Sequence, residues 1–235
     1  MSDSARYWAV VPAAGVGSRM ASDVPKQYLP LAGRTVIEWS LQALLNCASI
    51  QRVVVAVAPT DARFASLACA SNTRIRTTIG GDHRAASVLS GLQTLVAEAH
   101  DDDWVLVHDA ARPCLAHDDL LRLLDELSND EVGGILAVPV ADTLKAADGE
   151  QRVSKTVPRD NLWRALTPQM FRYGVLRRAL QTAAEKGLAV TDESSAVEAL
   201  GFKPRLIAGR ADNIKITVPE DLQIAERILQ ARNNR

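Results

Sequence analysis

Apolar residues along this chain recur in two alternating rhythms, short continuous runs and then spaced sets at helical intervals. The runs Tyr7 to Pro12, Arg52 to Ala58 and Trp104 to His108 have the β-branched or aromatic, uninterrupted pattern of strands buried on both faces. Arg74 to Ile79 alternates as an edge or central strand, and Gly134 to Val140 reads as a further strand. Between them, Leu41, Leu44 and Leu45 predict a helix opened by the capping pair Thr35 and Glu38. Asp61 to Ala70 predicts a second helix. Ala85 to Ala99 predicts a third, with Val88, Leu92, Leu95 and Val96 on one face, and His117 to Leu127 a fourth. This alternation predicts an α/β fold built on a doubly wound, mostly parallel sheet.

The rhythm breaks over 141–160. That stretch is polar, has little apolar surface beyond Leu144, Val153 and Val157, and carries the turn pair Asp148-Gly149 between two strand-like runs. An isolated two-stranded hairpin is marginal in water. The segment is therefore expected to be a protruding β-hairpin arm that needs a partner surface, either the chain's own body or a second subunit. Leu162 to Gln169 then returns to the body, and Arg172 to Lys186 predicts a helix. Thr191-Asp192-Glu193 starts a short helix through Leu200, while Lys203 to Ala208 and Asn213 to Val218 predict strands. Pro219-Glu220-Asp221 opens the last helix, with proline first and acids in the first turn. At 235 residues the chain is expected to form one domain, 1–235, with the arm as an excursion.

Composition narrows the partners. A formal charge of −1 excludes the broad basic field of a general nucleic-acid binder. No apolar run approaches the ~18–20 residues of a membrane span, and the N-terminus lacks a basic region followed by an apolar core. Cys47, Cys69 and Cys114 are too far apart for a C-x-x-C pair, which predicts reduced thiols in a cytoplasmic protein.

Candidate chemistry gathers where strands end. About twenty residues separate the first strand from the next helical pattern, a long connection for an α/β unit. It begins Ala13-Ala14-Gly15-Val16-Gly17-Ser18-Arg19, whose uncovered backbone N–H groups can cradle phosphate, and Arg19 and Lys26 add positive charge. Neither G-x-G-x-x-G nor a P-loop is present, which disfavours a dinucleotide site and a Walker ATPase. Asp109 directly follows a buried strand, where a single carboxylate beside substrate phosphates is enough for Mg²⁺, and Arg112 lies three positions on. Lys215 alternates with Ile214, Ile216 and Val218 and so faces away from the core, either as an edge-strand guard or toward a phosphate pocket. His83, His108 and His117 do not form a ligand cluster by spacing and are read as packing or surface residues.

Taken in order, Ala13 to Met20, Pro25-Lys26-Gln27-Tyr28-Leu29, Gly80 to Arg84, Val107 to Pro113, Asp142-Thr143, Leu166 to Gln169, Thr191-Asp192-Glu193 and Asn213-Ile214-Lys215 resemble the 2-C-methyl-D-erythritol 4-phosphate cytidylyltransferases, nearly end to end. The resemblance implies transfer of CMP from CTP to 2-C-methyl-D-erythritol 4-phosphate with release of pyrophosphate, in non-mevalonate isoprenoid biosynthesis. It implies that Arg19 and Lys26 stabilise the transition state and that Lys215 and Arg159 position the attacking phosphate, aided by Thr143 and Arg112. Asp109 would lie by Mg²⁺ and the acceptor; Gly81, Asp82 and Ser87 would read the cytosine. Ala13, Ala14, Gly15, Gly17 and Thr167 complete the expected substrate contacts. The resemblance also implies a homodimer with arm exchange, so that Thr143 and Arg159 act in trans. Ala86 and Pro158 depart from the family's usual residues. Such a reaction needs no general base, because the nucleophile is already an anionic phosphate; it needs charge neutralisation and placement of two anions.

Three other functions compete with this reading. Ribitol-5-phosphate cytidylyltransferase shares the loop, the lysine motif and the aspartate. A glycosyltransferase would use Asp101-Asp102-Asp103, but those acids precede a strand and so point to the wrong edge of the sheet. A non-enzymatic nucleotide-binding module would tolerate loss of Lys26 and Lys215.

Overall fold

The computed structural model describes residues 5–15 and 24–233. In chain order it contains β1 (Tyr7–Pro12), β2 (Pro30–Leu31), β3 (Arg34–Thr35), α1 (Val36–Leu45), β4 (Ile50–Val57), β5 (Ile75–Ile79), α2 (Arg84–Thr94), β6 (Trp104–Val107), α3 (His117–Leu127), β7 (Gly133–Pro139), β8 (Leu144–Ala147), β9 (Val153–Val157), β10 (Trp163–Arg172), α4 (Tyr173–Glu185), α5 (Glu193–Glu198), β11 (Arg205–Ala208) and α6 (Glu220–Asn233).

Seven of these strands form one sheet in the order β11-β7-β10-β6-β1-β4-β5. β1 runs parallel to β4 and β6, β4 to β5, and β7 to β11, whereas β10 is antiparallel to both of its neighbours. Both faces are covered, which explains the continuous apolar runs. In β1, Ala9 and Val11 pack with Ile37, Leu41, Leu120 and Leu123 of α1 and α3. Trp8 and Val10 pack on the other face with Val88, Leu92, Leu176 and Leu180 of α2 and α4. This period-two division between two helix layers makes the register of the central strand specific. The winding reverses beside β1, with β4 and β5 on one side and β6 on the other, so the carboxyl ends of β1 and β6 flank the crevice where such sheets hold ligands.

Several boundaries match the apolar pattern closely. β1 and α3 do so, and the Thr35 capping box forms with Glu38 as expected. Others differ. Over 61–70 the chain forms two short 3₁₀ turns, Phe64–Ser66 and Ala68–Ser71, instead of a helix. Phe64 is buried there while most of its neighbours are exposed, so no apolar stripe drives helix formation, and Asp61 satisfies the N–H groups of Arg63 and Phe64 at 2.8 and 3.0 Å. α2 stops at Thr94, and Val96 is exposed rather than on the packed face. The segment 162–169, read as a return to the body, falls almost wholly within the long strand β10, Trp163–Arg172, in the middle of the sheet. Finally, 213–218 is not a strand. Its backbone is held by side chains and turns: Asp221 accepts from the Thr217 and Val218 N–H groups at 2.7 and 3.0 Å, and Ile216 N–H donates to Ala111 at 2.8 Å. Ile216 is buried as expected, but Val218 is exposed.

β8 and β9 pair as a separate two-stranded sheet over 144–157. Asp148 closes its tip by accepting from Glu150 and Arg152 N–H groups, both at 2.9 Å. Most residues of this hairpin are exposed, Leu144 and Val153 included. No helix among the described residues is long and apolar enough to cross a membrane.

Candidate active site

A cavity opens at the carboxyl ends of β1, β5 and β6, lined by Ala13, Ala14, Gly15, Lys26, Gly81, Asp82, Ser87, Asp109 and Lys215 among others. Its walls come from three strand-end segments and from the irregular stretch before α6. β1 delivers Ala13 to Gly15, and buried Gln27 fixes this turn by donating to the Ala13 and Gly15 carbonyls at 2.8 and 3.0 Å. The Ala13 N–H itself goes to Ala56 at 2.8 Å, so any phosphate cradle starts after Ala13. After β5, Gly80 passes so close to this turn that a Cβ there would lie 2.6 Å from the Ala14 Cβ and 2.8 Å from the Ser87 hydroxyl. Glycine is thus the residue that lets the two walls meet. Ser87 in turn donates to the Gly81 carbonyl at 3.2 Å, or to His83 at 3.1 Å, tying the Gly81-Asp82 turn to α2.

Asp109 is the electrostatic centre. Its Oδ1 accepts from Arg84 Nε at 3.0 Å; its Oδ2 faces Lys215 Nζ at 2.9 Å and Arg112 Nε at 3.4 Å. Burial alone would raise the carboxyl pKa, but Arg84, Lys215 and Arg112 outweigh it and hold Asp109 well below the usual carboxylate range. Asp109 therefore stays anionic and gathers cations from three parts of the chain. Arg84 reaches further, placing its two terminal nitrogens 2.6 and 3.0 Å from the two oxygens of fully buried Glu193. Its pKa is raised: burial opposes the charge, and Glu193 and Asp109 together overcome that. Lys26 donates to the Ile216 carbonyl at 2.9 Å, next to Lys215.

Behind Asp109 lies a closed hydrogen-bond ring. His108 Nε2 is 3.0 Å from the Arg112 carbonyl, which can only accept, so Nε2 carries the proton. Nδ1 then accepts the Thr167 hydroxyl at 3.0 Å, and the Thr167 oxygen accepts the Asp109 N–H at 3.1 Å. Asn213 donates to the Thr167 carbonyl at 2.8 Å, and Arg112 donates to Asn213 at 2.9 Å. Burial lowers the His108 pKa to about 4, with Asp109 opposing, so the ring is held by a neutral imidazole.

Of the residues singled out in the sequence, Ala13, Ala14, Gly15, Lys26, Gly81, Asp82, Ser87, Asp109 and Lys215 share the cavity. Arg112 and Thr167 stand behind it and touch Asp109. Thr143 and Arg159 are exposed at the base of the hairpin, where Arg159 donates to the Ala141 carbonyl. Gly17 and Arg19 lie outside the described residues. Sequence reasoning gave no role to Arg84, Gln27, Glu193 or Asn213, although each falls in a quoted motif. His108, read as packing, also bridges Thr167 to Arg112. Asp103 serves as a structural anchor, accepting from the Arg6 and His100 N–H groups and Trp8 Nε1. Among the described residues no group of three His, Cys, Asp or Glu side chains is assembled as a metal cluster.

The IspD family model, described as 2-C-methyl-D-erythritol 4-phosphate cytidylyltransferase, matches residues 7–231. The chain belongs to this family. A protein of Pseudomonas entomophila (strain L48) named 2-C-methyl-D-erythritol 4-phosphate cytidylyltransferase is 56% identical over 218 residues, 92% of this chain and 93% of that one. Among solved structures, one titled 4-diphosphocytidyl-2C-methyl-D-erythritol synthase superposes with a TM-score of 0.84 at 39% identity, covering 96% of this chain and 99% of that one. The Francisella tularensis cytidylyltransferase gives 0.82 at 34% identity, covering 95% and 100%. The mostly parallel sheet and its flanking helices are thus the family's fold, and the cavity at the β1/β6 crevice is the place to seek the cytidylyltransferase site.

Proposed function

We propose that this chain transfers CMP from CTP to 2-C-methyl-D-erythritol 4-phosphate, as a nucleotidyltransferase of non-mevalonate isoprenoid biosynthesis. A 4-phosphate oxygen attacks the α-phosphorus of CTP, the bond to the β-phosphate breaks, and pyrophosphate leaves with 4-diphosphocytidyl-2-C-methyl-D-erythritol as product. The observation that carries this reading is the meeting of Lys26, Asp109 and Lys215 at one cavity of a chain that belongs to the family. Arg19 and Lys26 would stabilise charge on the transferring phosphoryl group, and Lys215 would hold the acceptor phosphate. Gly81, Asp82 and Ser87 would read the base. Arg112 and Thr167 act through Asp109, and the Thr167 hydroxyl proton is already donated to His108.

A divalent cation fits the donor set. Asp109 offers hard carboxylate oxygens at the cavity edge, which suits Mg²⁺ completed by substrate phosphates and water, and the ion would supply charge neutralisation there. We read 1–235 as one transferase domain with 141–160 as an arm that reaches a second subunit. Exposed Leu144 and Val153 want a cover, and Thr143 and Arg159 would enter the neighbour's site in a homodimer. The free thiols Cys47, Cys69 and Cys114 accord with a reducing cytoplasm. Ribitol 5-phosphate is not favoured as acceptor, since the family model and the high-identity relatives carry the methylerythritol name.

The test is pyrophosphate release from CTP with each acceptor in turn. Turnover with 2-C-methyl-D-erythritol 4-phosphate is expected; turnover with ribitol 5-phosphate alone overturns the choice.

A further inference from the structure

Glu193 is an unusual residue to find without solvent. Its carboxylate is fully buried at the start of α5, and both of its oxygens are taken by Arg84, 109 residues earlier in the chain. Buried ion pairs contribute little net stability against an apolar pair of similar volume, so such a pair beside a ligand cavity calls for another reason. The geometry supplies one. With its two terminal nitrogens fixed by Glu193, the planar guanidinium leaves Nε for a single contact, Asp109 Oδ1 at 3.0 Å. Asp109 then has Oδ2 for Lys215 at 2.9 Å.

We propose that Glu193 is a positioning residue: through Arg84 it sets the plane of the Asp109 carboxylate and thereby the place of Lys215. Arginine is required at the middle of this chain of contacts, since its rigid fork binds two carboxylates at once, whereas an ammonium is a single point charge. Without the Glu193 charge, Arg84 is free to turn its fork onto Asp109 and draw both oxygens away from Lys215. The effect falls on the grip of the acceptor, not on the walls proposed to read the base, because the Ser87 hydroxyl ties those walls to the Gly81 or His83 carbonyl at the start of α2 without using Glu193.

This inference rests on the cytidylyl transfer proposed above, and its test separates the two. Glu193→Gln keeps the shape and removes the charge; kcat is expected to fall roughly 10- to 100-fold, the loss typical of a misplaced reacting group, with the KM for CTP within about threefold of wild type. In an Arg84→Gln background the same Glu193→Gln change should produce no further fall in kcat, because its route to Asp109 is gone. Arg84→Lys leaves a positive charge beside Glu193, so it remains informative if Glu193→Gln does not fold, and it should lose kcat to a similar extent. Circular dichroism and melting temperature establish that each assayed variant is folded. Wild-type kcat in folded Glu193→Gln or Arg84→Lys, or an undiminished effect of Glu193→Gln in the Arg84→Gln background, overturns the positioning role while leaving the reaction standing. A wild-type chain that releases no pyrophosphate overturns the reaction, and this inference with it.

Discussion

Lys26 and Lys215, from opposite ends of the chain, meet at adjoining residues: Lys26 Nζ donates to the Ile216 carbonyl at 2.9 Å, while Lys215, one residue earlier, places its Nζ 2.9 Å from Asp109 Oδ2. The irregular 213–218 segment thus delivers one cation and is braced by the other. Lys26→Ala or Lys215→Ala should each lower turnover by on the order of 10²-fold or more, as loss of an electrostatic stabiliser does. Steady-state pyrophosphate release checks this, and near-normal rates in both variants would count against the mechanism.

Much of this fold was legible because burial on both faces of the sheet leaves an apolar signature that local sequence carries intact, as in β1, β4 and β6. β10 was missed for the opposite reason. It is antiparallel, its pairing with β7 shifts register between Ala165 and Gln169, and it contains Pro168, which on its own argues against a central strand. The segment 213–218 shows alternation without a ladder, because tertiary partners such as Asp221 and Ala111 take its N–H groups. In the site, the charged residues nearest the strand ends could be read from position. Arg84 and Glu193 could not be paired, since nothing local links residues 109 apart in the chain.

Chelation should abolish pyrophosphate release, and added Mg²⁺ should restore it. Asp109→Asn should resist that restoration, having lost the anion on which Arg84, Arg112 and Lys215 converge. Full activity of the wild-type chain in excess chelator would contradict the cation requirement.

Acid is expected to weaken the folded state through His108. Its folded pKa is about 4, below the ordinary value of ~6.5 for an unfolded chain. Between these values the unfolded chain binds a proton that the folded chain does not. The contribution is therefore complete above ~6.5 and is lost as pH falls toward the folded value, by on the order of 3 kcal/mol. Asp109 acts in a lower window, because its folded pKa lies below that of an unfolded carboxyl and its contribution is lost only under stronger acid. Urea unfolding at pH 7 and pH 5 should show a loss in wild type that is much smaller in His108→Gln; equal losses in the two proteins would contradict it.

Removing the Thr167 hydroxyl opens the ring behind Asp109. Thr167→Val leaves the buried Asp109 N–H without its acceptor and His108 Nδ1 without its donor. The expected destabilisation is about 1–3 kcal/mol, the cost of a buried unsatisfied polar group. Denaturant midpoints measure it, and an unchanged midpoint would show that the ring is not maintained in solution.

Arm exchange predicts complementation. Arg159→Ala and Lys215→Ala, each nearly inactive alone, should partly recover activity when mixed, because a hybrid dimer carries one site with both residues intact. No recovery despite demonstrated subunit exchange would place Arg159 and Lys215 of one site in one chain.

The most direct measurement is a crystal structure of the chain with CTP bound. Arg19, Lys26 and Lys215 are expected around one triphosphate, with Arg159 of the partner subunit facing the acceptor side. A triphosphate bound elsewhere, or those three cations on separate surfaces, would contradict the account.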